Sequence, residues 1–250
     1  MITRYNIIKN VRDRETFAGN GKKNQRGIEF CDNNWAGNRT DTNNSVYMNI
    51  LGNISGVGLR SKALAPAVPR GDPPPFDTCG WRFFNNVVLD AGVGFELQDM
   101  SGNPDAQGSC VINNIFACGL PGATTTECAP GYRHQTGVAR NSTVLSNNLY
   151  YPDNASFFCG AAGAPQQCGA FDAWVAANRQ NVGAGSAIGD PQFADARQAS
   201  WPEGLRPKKG SPAIGRGRAV GLAVDFDGGA VPATAPDVGV LQSREPADPD

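Results

Sequence analysis

The sequence predicts an all-β protein wound as a parallel β-helix, a solenoid with three short strands per coil that ends in a C-terminal cap containing a short helix. Three observations carry that expectation. Pairs of asparagine interrupt otherwise apolar runs in "RFFNNVV" at 82–88, "CVINNIFAC" at 110–118 and "TVLSNNLYY" at 143–151. The pairs return at intervals the size of a repeat unit, and each unit carries its apolar runs in the same order. Asn is depleted in strands, so its regular return marks a place where the backbone must turn.

The elements follow in chain order. "MITRYNIIKNVR" begins directly in strand-like sequence with no amphipathic cap ahead of it. A bare first coil needs cover from residues 1–25, from a partner or from preceding coils, and the expectation is that the chain is the later part of a longer solenoid. The last Asn of each pair supplies markers at Asn86, Asn114 and Asn148, with degenerate earlier copies at Asn53 in "NILGNIS" and Asn10 in "NIIKNVR". From Asn10 onward the steps are 43, 33, 28 and 34 residues. Variable steps around a constant core suit a solenoid whose turns carry loop insertions.

Within each unit a strand-like run ("WRFF", "CVI", "TVL") leads into Asn, and a second run follows ("VVLD", "IFAC", "LYY"). In most units a third begins with Gly: "RGIEFCD", "GVGLRSK", "GVGFELQD", "GYRHQT". Three short strands per turn make a triangular coil, in which each strand pairs with its counterpart one turn away at about 4.8 Å. Asn tolerates the left-handed backbone that a sharp corner requires, and stacked Asn side chains hydrogen-bond to one another along an axis. The coils are expected over 1–154.

Residues 155–250 are assigned to a cap and its trailing wrap. "AFDAWVAANRQ" places Phe171, Trp174 and Val175 at i, i+3 and i+4, which predicts a short helix near 171–178. The last residues, "SREPADPD" at 243–250, are expected to be disordered.

A chain of 250 residues with 40% hydrophobic content has material for a real core. A formal charge of -1 and no Lys/Arg block beyond "KK" at 22–23 and "RPKK" at 206–209 argue against a nucleic-acid partner. No apolar run reaches the roughly 20 residues of a membrane span, and the N-terminus lacks the long apolar stretch of a secretory signal. Of the seven cysteines, Cys118 with Cys128 and Cys159 with Cys168 bracket short Gly/Pro/Ala-rich stretches that read as stapled loops. Cys79 and Cys110 sit at similar places in neighbouring repeats and make a third candidate bridge, leaving Cys31 unpaired. Such pairing implies an extracellular or cell-surface location; the alternative is seven reduced thiols.

The Gly-initiated strands are the candidate functional face. With Ile28, Phe30, Val57, Leu59, Phe95 and Leu97 turned to the core, alternation turns Glu29, Arg60 and Glu96 outward. Arg133 continues the row, or His134 if the register slips by one. Asp32, Lys62, Asp99 and Gln135 lie just beyond it. The structural account of this row is a ladder of opposite charges, worth about 0.2–1 kcal/mol per pair.

The units "RFFNNVVLDAGVGFELQD" and "CVINNIFAC", with the C-terminal "SAIGDPQFAD", "LRPKKGSPAIGRG", "VDFDG" and "PDVGVLQ", resemble the right-handed parallel β-helix repeat proteins of the pectate-lyase-like superfamily. The resemblance covers most of the chain and implies a secreted protein whose partner is a polysaccharide. It implies a lyase that acts on an acidic polysaccharide, a glycoside hydrolase with paired carboxylates, or a non-catalytic glycan-binding or adhesive module. β-Elimination needs a group that neutralises the uronate carboxylate, a base for the adjacent carbon-bound proton and an acid for the leaving oxygen. The catalytic candidates are Lys62, Arg133, His134 and Glu96, and the substrate-binding candidates are Arg60, Glu29 and Gln135. Calcium is the one cofactor to consider, with Asp99 and Asp105 beside Glu96 in "ELQDMSGNPD" as oxygen ligands. A hydrolase would use Glu96 with Asp99 or Glu29, at about 5–9.5 Å. A binding module predicts an aromatic platform, for which Trp35, Trp81 and Tyr132 are the candidates, against the favoured expectation that these rings pack in the core or the cap.

Overall fold

The computed structural model describes residues 2–11, 26–31, 44–62, 79, 81–97, 109–121, 128, 132–134, 143–152, 158–160, 167–169, 171 and 185–244, and its regular structure there is nearly all β-strand. One sheet is wholly parallel. It stacks β1 (Ile2–Arg4), β4 (Asn44–Tyr47), β6 (Trp81–Phe84), β8 (Ser109–Ile112) and β11 (Thr143–Ser146) in that order. A second sheet holds two further rows. In one, β2 (Ile7–Lys9), the start of β5 (Ile50–Lys62), the start of β7 (Val87–Leu97), β9 (Ile115–Ala117), β12 (Leu149–Tyr151) and β15 (Ala187–Ile188) pair in parallel. In the other, β3 (Arg26–Cys31), the ends of β5 and β7, β10 (Tyr132–His134) and β13 (Phe158–Gly160) do the same. An antiparallel strand, β14 (Gln167–Gly169), closes that row against β13. Each repeat therefore contributes up to three strands, and every level pairs with the next.

The corner between the first two rows explains why asparagines come in twos. The first residue of each corner is left-handed: Tyr5, Met48, Asn85, Asn113 and Asn147 have φ of 50–58°, and Gly185 has φ 71°. The second residue points into the stack. Asn6 donates from Nδ2 to Asn49 Oδ1 at 2.9 Å, Asn49 to Asn86 at 3.0 Å, Asn86 to Asn114 at 2.9 Å and Asn114 to Asn148 at 3.1 Å. Each receiving Oδ1 also takes the backbone N–H of the same donor residue. Ser186 Oγ ends the series by accepting the N–H of Asn148. Asn49, Asn86 and Asn114 are fully buried, and the ladder meets their hydrogen-bonding needs where water is absent.

This corrects the repeat markers in the first two units. The ladder positions equivalent to Asn86 are Asn49 and Asn6, so the steps are 43, 37, 28, 34 and 38 residues. Asn53 and Asn10 belong to a second corner, where they and Asp90 also have positive φ. There Asn53 Nδ2 lies 3.4 Å from Asn10 Oδ1. Both residue types suit left-handed backbone, which is why the two corners are confusable in sequence.

Among the described residues two apolar clusters fill the fold. The inner one takes residues from all three rows, among them Val46, Phe83 and Val111, Leu51, Val88 and Phe116, and Leu59 and Phe95. The outer one lies on the opposite face of the first two rows, where Met48, Ile50, Val87, Ile115 and Leu149 pack with Val238, Val240 and Leu241. Parallel strands covered on both faces read as continuous apolar runs, as "VVL" and "IFA" do.

The cover of the outer face is the C-terminal segment 189–244, a strap of turns and two short 3-10 turns, Gln198–Ser200 and Glu203–Leu205. It runs along the flank of the stack. Asn147 Nδ2 donates to Arg216 O, Asn113 Nδ2 to Arg218 O and Asn85 Nδ2 to Gly239 O, at 2.7–2.8 Å. Gly239 sits so close that a Cβ there would lie 2.8 Å from Ile115 Cδ1. Farther along, Trp201 packs where Gly52 leaves room, Gln198 Nε2 reaches Asn10 Oδ1 at 3.3 Å, and Phe226 meets Tyr5 edge-on. The first Asn of each pair thus holds the strap while the second holds the neighbouring level.

The helix expected near 171–178 lies outside the described residues except Phe171, which is buried against Tyr150. Of the tail expected to be disordered, Ser243 and Arg244 are held in the fold: Ser243 N donates to Asp237 Oδ2 and Arg244 pairs with Asp227. Residues 245–250 lie outside the described set.

Candidate functional site

The third row of strands brings the predicted charges into line. Glu29 is in register with Arg60, Arg60 with Glu96, and Glu96 with Arg133. Arg133, not His134, continues the row; His134 pairs with Leu97. Lys62 stands opposite Cys31 in register, two residues along the strand from Arg60. The apolar partners also alternate as expected, with Ile28, Leu59 and Phe95 in the inner cluster.

The exposure of the row differs from an open groove. Arg60 and Glu96 are buried, at 5% and 0% exposure, and Glu29 is half-buried. Arg60 Nε lies 2.7 Å from Glu96 Oε1, a contact of charge on charge without hydrogen-bond alignment. Removing two charges from water costs several kcal/mol per ion, so each stabilises the other's presence there. At these two levels the charges serve one another. Asp32, Asp99, Asp105, Gln135 and Trp35 lie outside the described residues. Trp81 is in the inner cluster, so its ring is core packing, the reading favoured for it over a place in an aromatic platform. Tyr132 is opposite Phe95 in register.

The cysteines bear out two pairings. Cys79 bridges Cys110 and Cys118 bridges Cys128. Cys159 and Cys168 stand directly opposite in the β13–β14 ladder. Disulfides fit an oxidising compartment, and no helix among the described residues is long and apolar enough to cross a membrane.

The C-terminal motifs hold polar residues that tie the strap to itself. Ser211 Oγ donates to Pro191 O and accepts from Ala213 N, Asp237 Oδ1 accepts from Gly215 N, and Asp225 takes Gly229 N and Gln242 N on its two oxygens. Arg206 reaches Glu203, Asp227 and the carbonyl of Gln242. Burial pushes the Asp225 carboxyl up, and the adjacent Asp227 adds to this. Asp227 is desolvated too, yet its contact with Asp225 and the guanidinium groups of Arg206 and Arg244 hold it below the usual range. Arg197 and Ser200 keep Asp195 well below it as well. These Asx-type ties account for the "GSPAI" and "VDFDG" stretches without a ligand. Among the described residues no group of three or more His, Cys, Asp or Glu is placed to hold a metal.

Sequence reasoning passed over Asp90. It occupies the second corner with φ 52°, and its Oδ1 accepts from Gly119 N at 2.7 Å. Burial raises its carboxyl pKa against the pull of the Gly119 and Leu120 amides. Its spacing from Asn53, equal to that of Asn86 from Asn49, was the available signal. Compared with known proteins, the chain matches no protein-family model and no curated protein.

Proposed function

We propose that the chain is a right-handed parallel β-helix of the pectate-lyase-like kind, secreted, which acts on an acidic polysaccharide by β-elimination. The observation that supports this most is the register of Glu29, Arg60, Glu96 and Arg133 on four successive levels, with Lys62 and His134 in the same strands. Strands one level apart repeat at about 4.8 Å, so Glu29 and Arg133 at the ends of the row, with Lys62 beside it, can meet a polymer at spaced points. In this reading Arg133 neutralises the uronate carboxylate, Lys62 or His134 takes the proton, and the Arg60–Glu96 pair fixes the floor beneath them. The disulfides support an extracellular setting.

The test is a panel of uronate polymers, with and without calcium, followed by the absorbance of an unsaturated product. Lys62→Ala or His134→Ala should lower the rate by about a hundredfold or more, as loss of a general base does, with the urea midpoint unchanged. Full activity in both variants removes the assignment.

A specific observation favours a second reading, a non-catalytic glycan-binding module. The buried Arg60–Glu96 contact commits the middle of the row to structure. Retardation in polyuronate gels with no product under any condition would select it.

A further inference from the structure

We infer that the strap is a docking surface for an anionic polysaccharide, which Lys208, Lys209 and Arg216 hold on the flank of the stack. Residues 204–224, "GLRPKKGSPAIGRGRAVGLAV", carry five Lys or Arg and no Asp or Glu, in a chain whose formal charge is -1. Cations gathered in one stretch of an otherwise balanced chain set up a local positive field. Two of the five belong to the fold, since Arg206 is buried with Glu203 and Asp227 beside it and Arg218 is half-buried. The other three are exposed, and at these residues the fold uses the backbone. Lys208 N donates to Gln192 O at 3.0 Å, Lys208 O accepts Ser211 N at 3.0 Å, and Arg216 O accepts Asn147 Nδ2 at 2.8 Å. Lys209 stands in the turn that the second of these bonds closes, next to Gly210 with φ 91°. A further turn, closed by Ile214 N on Ser211 O at 3.2 Å, brings the chain round to Arg216.

Other exposed arginines of the strap find a carboxylate: Arg197 pairs with Asp195 and Arg244 with Asp227. Among the described residues Lys208, Lys209 and Arg216 pair with none, and the exposed Asp190 gives its Oδ1 to Gln192 N–H. Their backbone is already fixed, so a ligand has only the side chains to order. The occupant follows from what lies beside them. Rings of the strap are taken up by packing, Trp201 over Gly52 and Phe226 on Tyr5, so no stacking platform for a base accompanies the cations. Spaced cations without rings suit carboxylates strung along a sugar polymer. The choice of a uronate polymer rests on the function proposed above. The place does not coincide with the charge row: Arg216 is tied at the corner between the first two rows, across the coil from the third. A polymer held here is anchored apart from the strands that would cleave it.

The test is affinity electrophoresis of the whole protein in gels cast with polygalacturonate, with alginate or with a neutral galactan, over a range of salt. Retardation in both acidic gels and none in the neutral gel is expected. Lys208→Gln, Lys209→Gln and Arg216→Gln combined should weaken binding by about tenfold or more. The slope of log Kd against log salt should flatten by about two, at about 0.7 for each cation removed. The urea midpoint should hold, because the three side chains are exposed. Lys62→Ala, which alters the third row, should leave the retardation as it is. Retardation that survives in the triple variant and disappears in Lys62→Ala would overturn the strap surface and leave the cleavage site standing. Retardation lost in the triple variant, with no unsaturated product from any polymer, would keep the surface and remove the lyase. No retardation of the unaltered protein, or tighter retention by single-stranded DNA than by polygalacturonate at equal salt, would also overturn the inference.

Discussion

Asn114→Ala tests the ladder at its most enclosed rung. The Asn114 side chain makes five contacts of hydrogen-bond length. Its Oδ1 accepts Asn86 N at 3.0 Å and Asn86 Nδ2 at 2.9 Å, and its Nδ2 faces Phe83 O at 2.9 Å, Ile112 O at 3.0 Å and Asn148 Oδ1 at 3.1 Å. Alanine strands at least the Asn86 N–H and one ladder acceptor in a fully buried place. Each such group costs about 1–3 kcal/mol, so the loss should reach about 3–5 kcal/mol. That is a large part of the roughly 5–15 kcal/mol that holds a domain together. Asn114→Asp should be worse at neutral pH, because its second oxygen would face three acceptors. Burial and those acceptors raise the folded-state pKa of that carboxyl above the unfolded value. The folded state then binds more protons, so stability falls as pH rises from the ordinary aspartate value through the raised one, and the deficit shrinks on acidification. Urea unfolding monitored by far-UV circular dichroism reads both, with the slope unchanged if only stability moves. A loss under about 1 kcal/mol for alanine, or an Asp variant no worse than alanine at neutral pH, would refute the ladder's energetic role.

The buried ion pair should show strong coupling: Arg60→Met and Glu96→Leu singly lose about 3–5 kcal/mol, whereas the double variant recovers most of it. A double-mutant cycle with additive losses would contradict the 2.7 Å contact. Asp90→Asn should stabilise the protein at neutral pH and remove a fall in stability that begins above the ordinary aspartate pKa, since Asn keeps the Gly119 bond and the left-handed backbone. Urea midpoints measured across acidic to neutral pH check this, and a destabilised Asn variant would count against it. Removing the Cys79–Cys110 bridge, which spans 31 residues, should cost about 3–4 kcal/mol, and the 10-residue Cys118–Cys128 bridge about 2–3 kcal/mol, on the loop-entropy relation. Peptide mapping without reduction is expected to recover both, together with a Cys159–Cys168 peptide.

Much of the stack was readable from residues alone. The Asn pairs at 85–86, 113–114 and 147–148 mark the ladder because both corner positions there are Asn, one left-handed and one inward. In the first two units the left-handed position is Tyr5 or Met48, so the doublet vanishes and the eye moves to Asn10 and Asn53, which serve another corner. Tyr5 and Met48 are chosen by the strap, which meets these levels with Phe226 and an apolar cluster in place of carbonyls. The charge row was legible in register because strand alternation fixes it. Its burial was not, since a strand pattern says which residues share a face and nothing of what lies against that face. The outer cluster could have been foreseen from the unbroken apolar character of "VVL", "IFA" and "LYY". The strap that covers it has no periodicity to announce itself.

The strap's reach changes how such a stack should come apart. A protein built only of nearest-neighbour repeats frays from either end, one unit at a time, because each unit is held by the next alone. Here contacts from Asn147 to Asn10 lash distant levels to a single length of chain. Loss of an end unit therefore releases strap contacts made elsewhere, and the whole assembly should melt in one cooperative step. A pull on the C-terminus would peel the strap first and only then let the levels separate.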